Sequence, residues 1–500
     1  MSDGERSRYR IAPKFGDMDP VEFRAAAHEV ADMAANYLDR LESFPVLPDI
    51  TPGSIRAQLP AGPPARPEAL DAILSDYSRL IEPNITHWQH PGFMAYFSSV
   101  ASGPGILGEW LASVLNSNVM VWRNAPASTE LEEVVVSWLR QMVGLPDVFD
   151  GMFTDTASVS SLLALVAARH AVPGLDARDE GLAGRPEIGR LRVYCSTEAH
   201  FSIHKAAVVA GIGKAGIRLI PADEQFAMRA EALADAVVQD RRDGWWPFFV
   251  TATVGTTSST GIDPVGAIAD ICARERLWLH VDAAYGGAAA LVSAYRPHFN
   301  GWERADSIVV NPHKWMFTPF DASLLLFRKP ELFRDAFRLV PEYLRTGEAP
   351  TVHNFNEYGI QLGRRFRALK MWMLIRYFGA EGMADRIREN CRQARELAAW
   401  IDADPDWERL APVPFGTVCL RHRSAALASS AEEPEVLARL NARNAAILER
   451  VNQSGKIFLS HTALRGRYTI RVSIGNPRTR MEHVRLCWDL LRDAASLTAA

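Results

Sequence analysis

From Pro20 to Glu42 the apolar positions Phe23, Ala27, Val30, Met33, Ala34, Tyr37 and Leu41 recur at helical spacing. Asp19 stands where an N-cap belongs and Pro20 at an early-turn position, so an N-terminal helix is expected. The stretch 44–67 holds Pro45, Pro48, Pro52, Pro60, Pro63, Pro64 and Pro67, too many for regular structure. It reads as an extended arm lying on another surface, of this chain or of a partner. Between about 103 and 370, short runs apolar on both faces alternate with helix-length segments such as 265–276. The runs are LRVYCS (191–196), IRLIPA (217–222), FFVTATVGTT (248–257), LWLHVDAA (277–284), SIVVNP (307–312) and SLLLFR (323–328). This order predicts an α/β architecture, a largely parallel sheet covered by helices. Beyond it, helices at 383–402, 436–451 and from 480 onward interleave with strands at TVCLRHR, IFLSHTAL and YTIRVSIG, the pattern of a smaller α+β domain. The expected organisation is an N-terminal helical arm over 1–102, a large α/β domain over 103–370 and a small C-terminal α+β domain over 371–500.

At 500 residues, with 48% hydrophobic and 23% charged positions, the chain is enzyme-sized and globular rather than disordered. A net charge of −4, with arginines scattered among acids, gives no footprint for nucleic acid. The five cysteines (Cys195, Cys272, Cys391, Cys419 and Cys487) are far apart and never form a CxxC, so neither a disulfide framework nor a zinc ribbon is expected. A cytoplasmic location fits such usage. The first residues carry no apolar signal region, and no run reaches the roughly 18 apolar residues of a membrane span. There are only seven lysines: Lys14, Lys205, Lys214, Lys314, Lys329, Lys370 and Lys456.

Some motifs have ordinary explanations. Gly211-Ile212-Gly213-Lys214-Ala215-Gly216 matches GxGxxG, the one sign of a dinucleotide-dependent oxidoreductase. That motif must follow a strand and open a helix, and here a helix-like segment precedes and a strand follows, so a C-cap and turn are expected. His200 and His204 are four apart but lack the glutamate of HExxH, and His87 and His90 have no acidic or cysteine companion at ligand spacing; no metal site is expected.

Other positions cohere. Asp282 closes the run LWLHVD and is followed by the small residues Ala283, Ala284, Gly286 and Gly287. Asn311-Pro312-His313-Lys314-Trp315 closes SIVV in the same way. Alone, the aspartate could cap the next helix and the lysine could snorkel to the surface. Together, at strand ends where α/β sheets bind ligands, they suit pyridoxal phosphate. That cofactor needs an amine for the Schiff base, a carboxylate facing the pyridine nitrogen and an anion cradle. GMFTDTASVSSLLALVAAR puts Thr154, Thr156, Ser158, Ser160 and Ser161 directly before an apolar helical run, a ready phosphate site. His200 follows another strand, where an imidazole could stack on the ring.

In their shared order over nearly the whole chain, these residues resemble the pyridoxal-phosphate-dependent group II decarboxylases, most closely the aromatic L-amino acid decarboxylases. The likeness is carried by THWQHPGFMAYFSS, PASTELEEVVVSWL, DTAS, EAHFSIHKA, TATVGTT, HVDAAYGG, NPHKW, PEYLR, LGRRFRALKMW and RGRYTIRVSIG. It implies a fold-type I enzyme with a mostly parallel seven-stranded sheet in the cofactor-binding domain. It also implies a homodimer with a shared active site, the N-terminal segment making dimer contacts. Lys314 is implied as the Schiff-base lysine and Asp282 as the partner of the pyridine nitrogen. Ala284 and His200 are implied on the two ring faces, Thr253 near the ring hydroxyl, and Thr156, Ala157, Asn311 and His313 at the phosphate. Tyr343 matches the tyrosine that protonates Cα after carbon dioxide leaves. Trp88, Tyr96, Phe97, Met120, Phe320 and Gly363 resemble the substrate pocket, some reaching in from the second subunit.

The implied reaction is decarboxylation of an aromatic L-amino acid to its arylalkylamine. Gly363 resembles a position where glycine leaves room for a large ring, which favours tryptophan or an indole analogue over phenylalanine, tyrosine or dihydroxyphenylalanine. Tyr343 favours simple decarboxylation over an aromatic aldehyde synthase, where phenylalanine takes this place. Two departures stand out. Val159 replaces a glutamate of many relatives, while Asp155 adds a negative charge beside the cradle. The segment HNFNEYGIQ around Asn356 also differs in composition from its counterparts.

Overall fold

The computed structural model describes residues 8–9, 11–13, 15–339, 341–342, 347–348, 351–427 and 430–498. Its large sheet comprises β1 Asp150–Thr154, β2 Arg190–Ser196, β3 Ile217–Ile220, β4 Trp245–Thr253, β5 Trp278–Asp282, β6 Ser307–Val310 and β7 Ser323–Phe327. Their order is β1-β7-β6-β5-β4-β2-β3. Strands β3, β2, β4, β5 and β6 pair in parallel, and β7 runs antiparallel to both β6 and β1. Every residue of β5, β6 and β7 is buried, which explains why these runs are apolar throughout instead of alternating. The seventh strand, β1, has no such signature, because Asp150, Gly151 and Thr154 interrupt its apolar run. Gly151 is required there: a Cβ would lie 2.6 Å from the Leu325 carbonyl oxygen across the ladder.

A second sheet, β8 Trp407–Arg409, β9 Thr417–His422, β10 Ser460–Leu464 and β11 Arg467–Ser473, is antiparallel in the order β10-β11-β9-β8. Val418, Leu420, Ile470 and Val472 pack there against Ile447 and Trp488 of the helices Pro434–Gln453 and Met481–Leu497. The position 370/371 falls inside the helix Arg367–Ala403, broken at Gly379 (φ 67°). Residues such as Met371 and Ile387 of that helix join the large core, and Leu397 and Ile401 the small one. Helix Gly103–Leu115 crosses it closely, since a Cβ on Gly108 would sit 2.5 Å from the Lys370 Cα.

The N-terminal helix is Pro20–Asp39, with the Val21 N–H donating to Asp19 Oδ1 at 2.8 Å. The proline-rich arm contains no strand and one short helical turn, Arg56–Gln58; its Val46 is buried against Phe93 and Ala95, and the Val46 N–H reaches the Gly455 carbonyl at 2.7 Å. The glycines of GxGxxG lie between helix Ser202–Val209 and β3, with Gly211 and Gly213 at φ 79° and 72°, as a C-terminal turn requires. Among the described residues no helix is long and apolar enough to cross a membrane.

The segment leading into the long helix is pinned to β1 by charge. Arg364 Nη2 lies 2.5 Å from Glu132 Oε1 and donates to the Phe153 carbonyl at 2.7 Å, while the Phe153 N–H donates to Glu132 Oε1 at 2.9 Å. His353 sits between Glu133 (2.7 Å) and Asp150 (3.4 Å); hydrogen bonds to Asp150 and Glu133 push its pKa up to about 10. A group whose folded pKa is raised stabilises fully below its unfolded value and loses that contribution as pH rises through the folded one. The wild type should therefore lose more thermal stability between about pH 6 and about pH 11 than His353→Gln does, and equal losses in melting scans would count against this bridge.

Candidate active site

Neighbouring strands deliver their loops to one place. Thr253 of β4 pairs with Asp282 of β5, which pairs with Val309 of β6. The ladder continues past the strands, with the Ala283 N–H donating to the Val309 carbonyl at 3.0 Å and the Asn311 N–H to the Ala284 carbonyl at 3.0 Å. The helical turn Pro312–Trp315 then carries Lys314. His200 arrives after β2, and Thr156 after β1 as the N-cap of helix Ala157–His170. All nine residues implied at the cofactor line a cavity of about 180 Å³: Thr156, Ala157, His200, Thr253, Asp282, Ala284, Asn311, His313 and Lys314. Phe97, Ser158, Gly255, Thr257 and Tyr285 complete its wall. A larger hollow of about 1050 Å³ around Trp407, His422 and Arg443 is an open surface mixing aspartates and arginines, with no lysine or free thiol in its lining.

Burial pushes the Lys314 amine below the usual lysine pKa, and the Asp282 carboxylate opposes that shift. Asp282, itself buried, accepts the Ala284 N–H at 3.1 Å. The Lys314 Nζ stands 5.3 Å from the Phe97 ring centre, and Phe97 stacks on Tyr285 at 3.9 Å. His200 Nδ1 lies 2.8 Å from Ser202 Oγ and accepts the Ser202 N–H at 3.2 Å, so the neutral ring carries its proton on Nε2. Burial lowers its pKa; Asp282 opposes this while Lys314 and Lys205 reinforce it. His313 Nδ1 accepts the Ala322 N–H at 3.0 Å, and burial, with Lys314 nearby, pushes its pKa down to about 3. It is therefore also a neutral Nε2–H donor.

Among the described residues, the buried Thr253 Oγ1 and Asn311 Oδ1 of the cavity lining have no hydrogen-bond partner. Leaving such groups unmet costs about 1–3 kcal/mol each, so a polar ligand is the natural complement. With an amine, a carboxylate and a helix N-terminus beside them, the residues present fit pyridoxal phosphate.

The cradle is narrower than the hydroxyl count suggests. Thr156 and Ser158 face the cavity. Thr154 instead bonds Ser160 at 2.7 Å, Ser160 bonds Ser323 at 3.0 Å, and Ser161 lies 3.2 Å from His280 Nε2. Helical periodicity turns Ser160 and Ser161 toward the sheet, where they dock the helix.

Of the expected substrate pocket, Phe97 alone lines this cavity. Trp88 and Tyr96 are not in its lining and stack on each other at 6.0 Å, with Tyr96 54% exposed. Phe320 lies 4.6 Å from the His313 ring and is 65% exposed. Met120 and Gly363 meet elsewhere, at Asn118: its Nδ2 is 3.5 Å from Met120 Sδ, and its Oδ1 accepts the Arg364 N–H at 2.9 Å. A Cβ on Gly363 would meet nothing nearer than Asn118 at 3.8 Å, so packing does not demand glycine there. The Asn356 N–H donates to the Met120 carbonyl at 3.1 Å, which places the divergent HNFNEYGIQ segment against Met120. Tyr343 lies outside the described residues. Sequence reasoning left three supporting residues unassigned. Tyr285 was visible within HVDAAYGG, and Ser202 stands two positions after His200. Asp263, which accepts the Thr253 N–H at 2.7 Å, has no sequence signal.

An α/β fold with this lysine, carboxylate and phosphate cradle defines a pyridoxal-phosphate enzyme. The pyridoxal-dependent decarboxylase conserved domain matches residues 52–423, and the chain belongs to that family of carboxy-lyases. It is 38% identical to phenylacetaldehyde synthase of Arabidopsis thaliana, over 96% of this chain and 97% of that protein. It is 37% identical to tryptophan decarboxylase 2 of Oryza sativa subsp. japonica, over 96% and 95% of the two chains. The crystal structure of Oryza sativa TDC with PLP and tryptamine matches with a TM-score of 0.91 at 34% identity, covering 97% of this chain and 99% of that one.

Thr253→Val removes an unmet hydroxyl at nearly constant volume. Its apoprotein should melt at the same temperature or slightly higher, by up to about 1 kcal/mol of stability, and bind pyridoxal phosphate more weakly. Unchanged cofactor affinity in a fluorescence titration would show that the hydroxyl does not meet the cofactor.

Proposed function

We propose that this decarboxylase converts an aromatic L-amino acid, tryptophan or an indole analogue before phenylalanine, tyrosine or dihydroxyphenylalanine, into the corresponding arylalkylamine and carbon dioxide. The observation that carries this reading is the single cavity in which Lys314 and Asp282 stand beside the Phe97–Tyr285 stack. The similarity to tryptophan decarboxylase 2 supports the indole preference, as does the space at Gly363, which packing leaves free.

Pyridoxal phosphate, when bound, supplies the electron sink for the pair released with carbon dioxide. Asp282 holds a proton on the pyridine nitrogen, an opposite charge within about 4–6 Å being worth about 1–3 pKa units. Lys314, its amine made less basic by burial, is readily deprotonated and so competent as a nucleophile. His200 and Ala284 would hold the ring and Thr253 would meet its hydroxyl, all three lining the cavity. Thr156, Ala157, Asn311 and His313 would line the phosphate site, His313 as a neutral donor. Tyr343 returns the proton to Cα.

A homodimer with a shared active site belongs to this reading. Helix Gly103–Leu115 buries Gly105 and Gly108 on one face and exposes Leu107, Leu111, Val114 and Leu115 on another, an apolar stripe suited to a second copy. Met120 and Gly363, apart from the cavity of their own chain, would then serve the partner's. The cysteines are all buried and unpaired, which supports a reducing cytoplasm.

Carbon dioxide release should be fastest from tryptophan in a panel of aromatic amino acids and glutamate, and Gly363→Ser should shift preference toward tyrosine by about tenfold in kcat/KM. A preference for glutamate would overturn the assignment. The aldehyde-synthase alternative draws support from the phenylacetaldehyde synthase relative, and Tyr343 opposes it. With dioxygen as the oxidant and water as the source of the carbonyl oxygen, Tyr343→Phe should divert product from amine to aldehyde, ammonia and hydrogen peroxide; an unchanged product ratio would separate Tyr343 from that step.

A further inference from the structure

Thr156 opens the phosphate cradle, where a phosphate draws on N–H and O–H donors. Both of its donors are already engaged. Asp155 Oδ1 accepts the Thr156 N–H at 2.5 Å and the Thr156 hydroxyl at 3.0 Å. Asp155 Oδ2 in turn accepts Gln361 Nε2–H at 3.4 Å, so a second segment holds the carboxylate in place. The side chain therefore stands at the N-terminus of helix Ala157–His170, whose partial positive charge attracts any anion. A threonine hydroxyl that donates to a carboxylate offers a phosphate only lone pairs, and a phosphate dianion has no proton to give them. Like charges also repel at this range. Other donors in the cavity lining include the first-turn amides of Ala157 and Ser158, the Ser158 hydroxyl, the Asn311 side-chain amide and His313 Nε2–H.

We propose that Asp155 is an internal competitor for the phosphate group of the cofactor: it engages the Thr156 donors in the cofactor-free protein and weakens retention of the phosphorylated cofactor relative to its dephospho form. This rests on the pyridoxal phosphate site described above. Asp155 acts through Thr156 and is a positioning residue, so its effect must follow the phosphate and not the ring.

The test titrates full-length apoprotein with pyridoxal phosphate and with pyridoxal, reading tryptophan fluorescence and the visible absorbance of the Lys314 adduct. Asp155→Asn keeps an acceptor for the Thr156 N–H while removing the charge, and Asp155→Gly removes the side chain as a second variant. In both, the Kd for pyridoxal phosphate should fall about tenfold, and that for pyridoxal by less than about twofold. Loss of cofactor on dialysis should slow in step. Parallel changes for both ligands would mean a general structural effect and overturn the proposal. So would an unchanged or weaker affinity for pyridoxal phosphate, which would make Asp155 a support for the cradle. Failure of the wild type to bind pyridoxal phosphate at all would instead remove the cofactor site itself, and this proposal with it.

Discussion

The pairing of β5 with β6 is the constraint on which the cavity depends. It brings a carboxylate and a lysine amine to the ends of adjacent strands, in a partly dry space where either charge alone would be costly. The ladder continues beyond the strands, through the bonds from Ala283 to Val309 and from Asn311 to Ala284, so Asp282 and Lys314 sit on paired backbone and not on free loops. Burial of β5, β6 and β7 on both faces holds that pair rigid.

Around this pair the other titratable groups are kept neutral. His200 and His313 each accept a backbone N–H at Nδ1 and are pushed toward the uncharged form, which leaves both Nε2–H groups as donors. The unmet atoms of Thr253 and Asn311 are a polarity that the described residues do not satisfy. At the start of helix Ala157–His170, Asp155 engages both donors of Thr156.

Much of this was legible in the residues. Six strands of the large sheet announce themselves as runs apolar on both faces, and the signature is missing in β1, where Gly151 answers a close contact with Leu325 across the sheet. Asp282 and Lys314 could be paired because consecutive parallel strands usually lie side by side. The hydroxyl cluster was over-read: composition places five hydroxyls near a helix start, while helix rotation sends Ser160 and Ser161 into the sheet. The residues that resemble a substrate pocket are not assembled in a single chain, since Met120 and Gly363 lie away from the cavity.

By itself, the sequence determined the α/β order, the reversed context of the glycine motif, and the lysine that stands past a strand end beside the strand of Asp282. These follow from local periodicity and from the types of residue that close each run. The tertiary structure alone decided which hydroxyls face the cavity, which nitrogen of His313 carries the proton, and which polar atoms are left unmet. Each of these depends on a partner remote in sequence, such as Ser323 for Ser160 and His280 for Ser161, or one presented across a turn, as Ala322 is to His313. Only packing brings those groups within hydrogen-bonding distance.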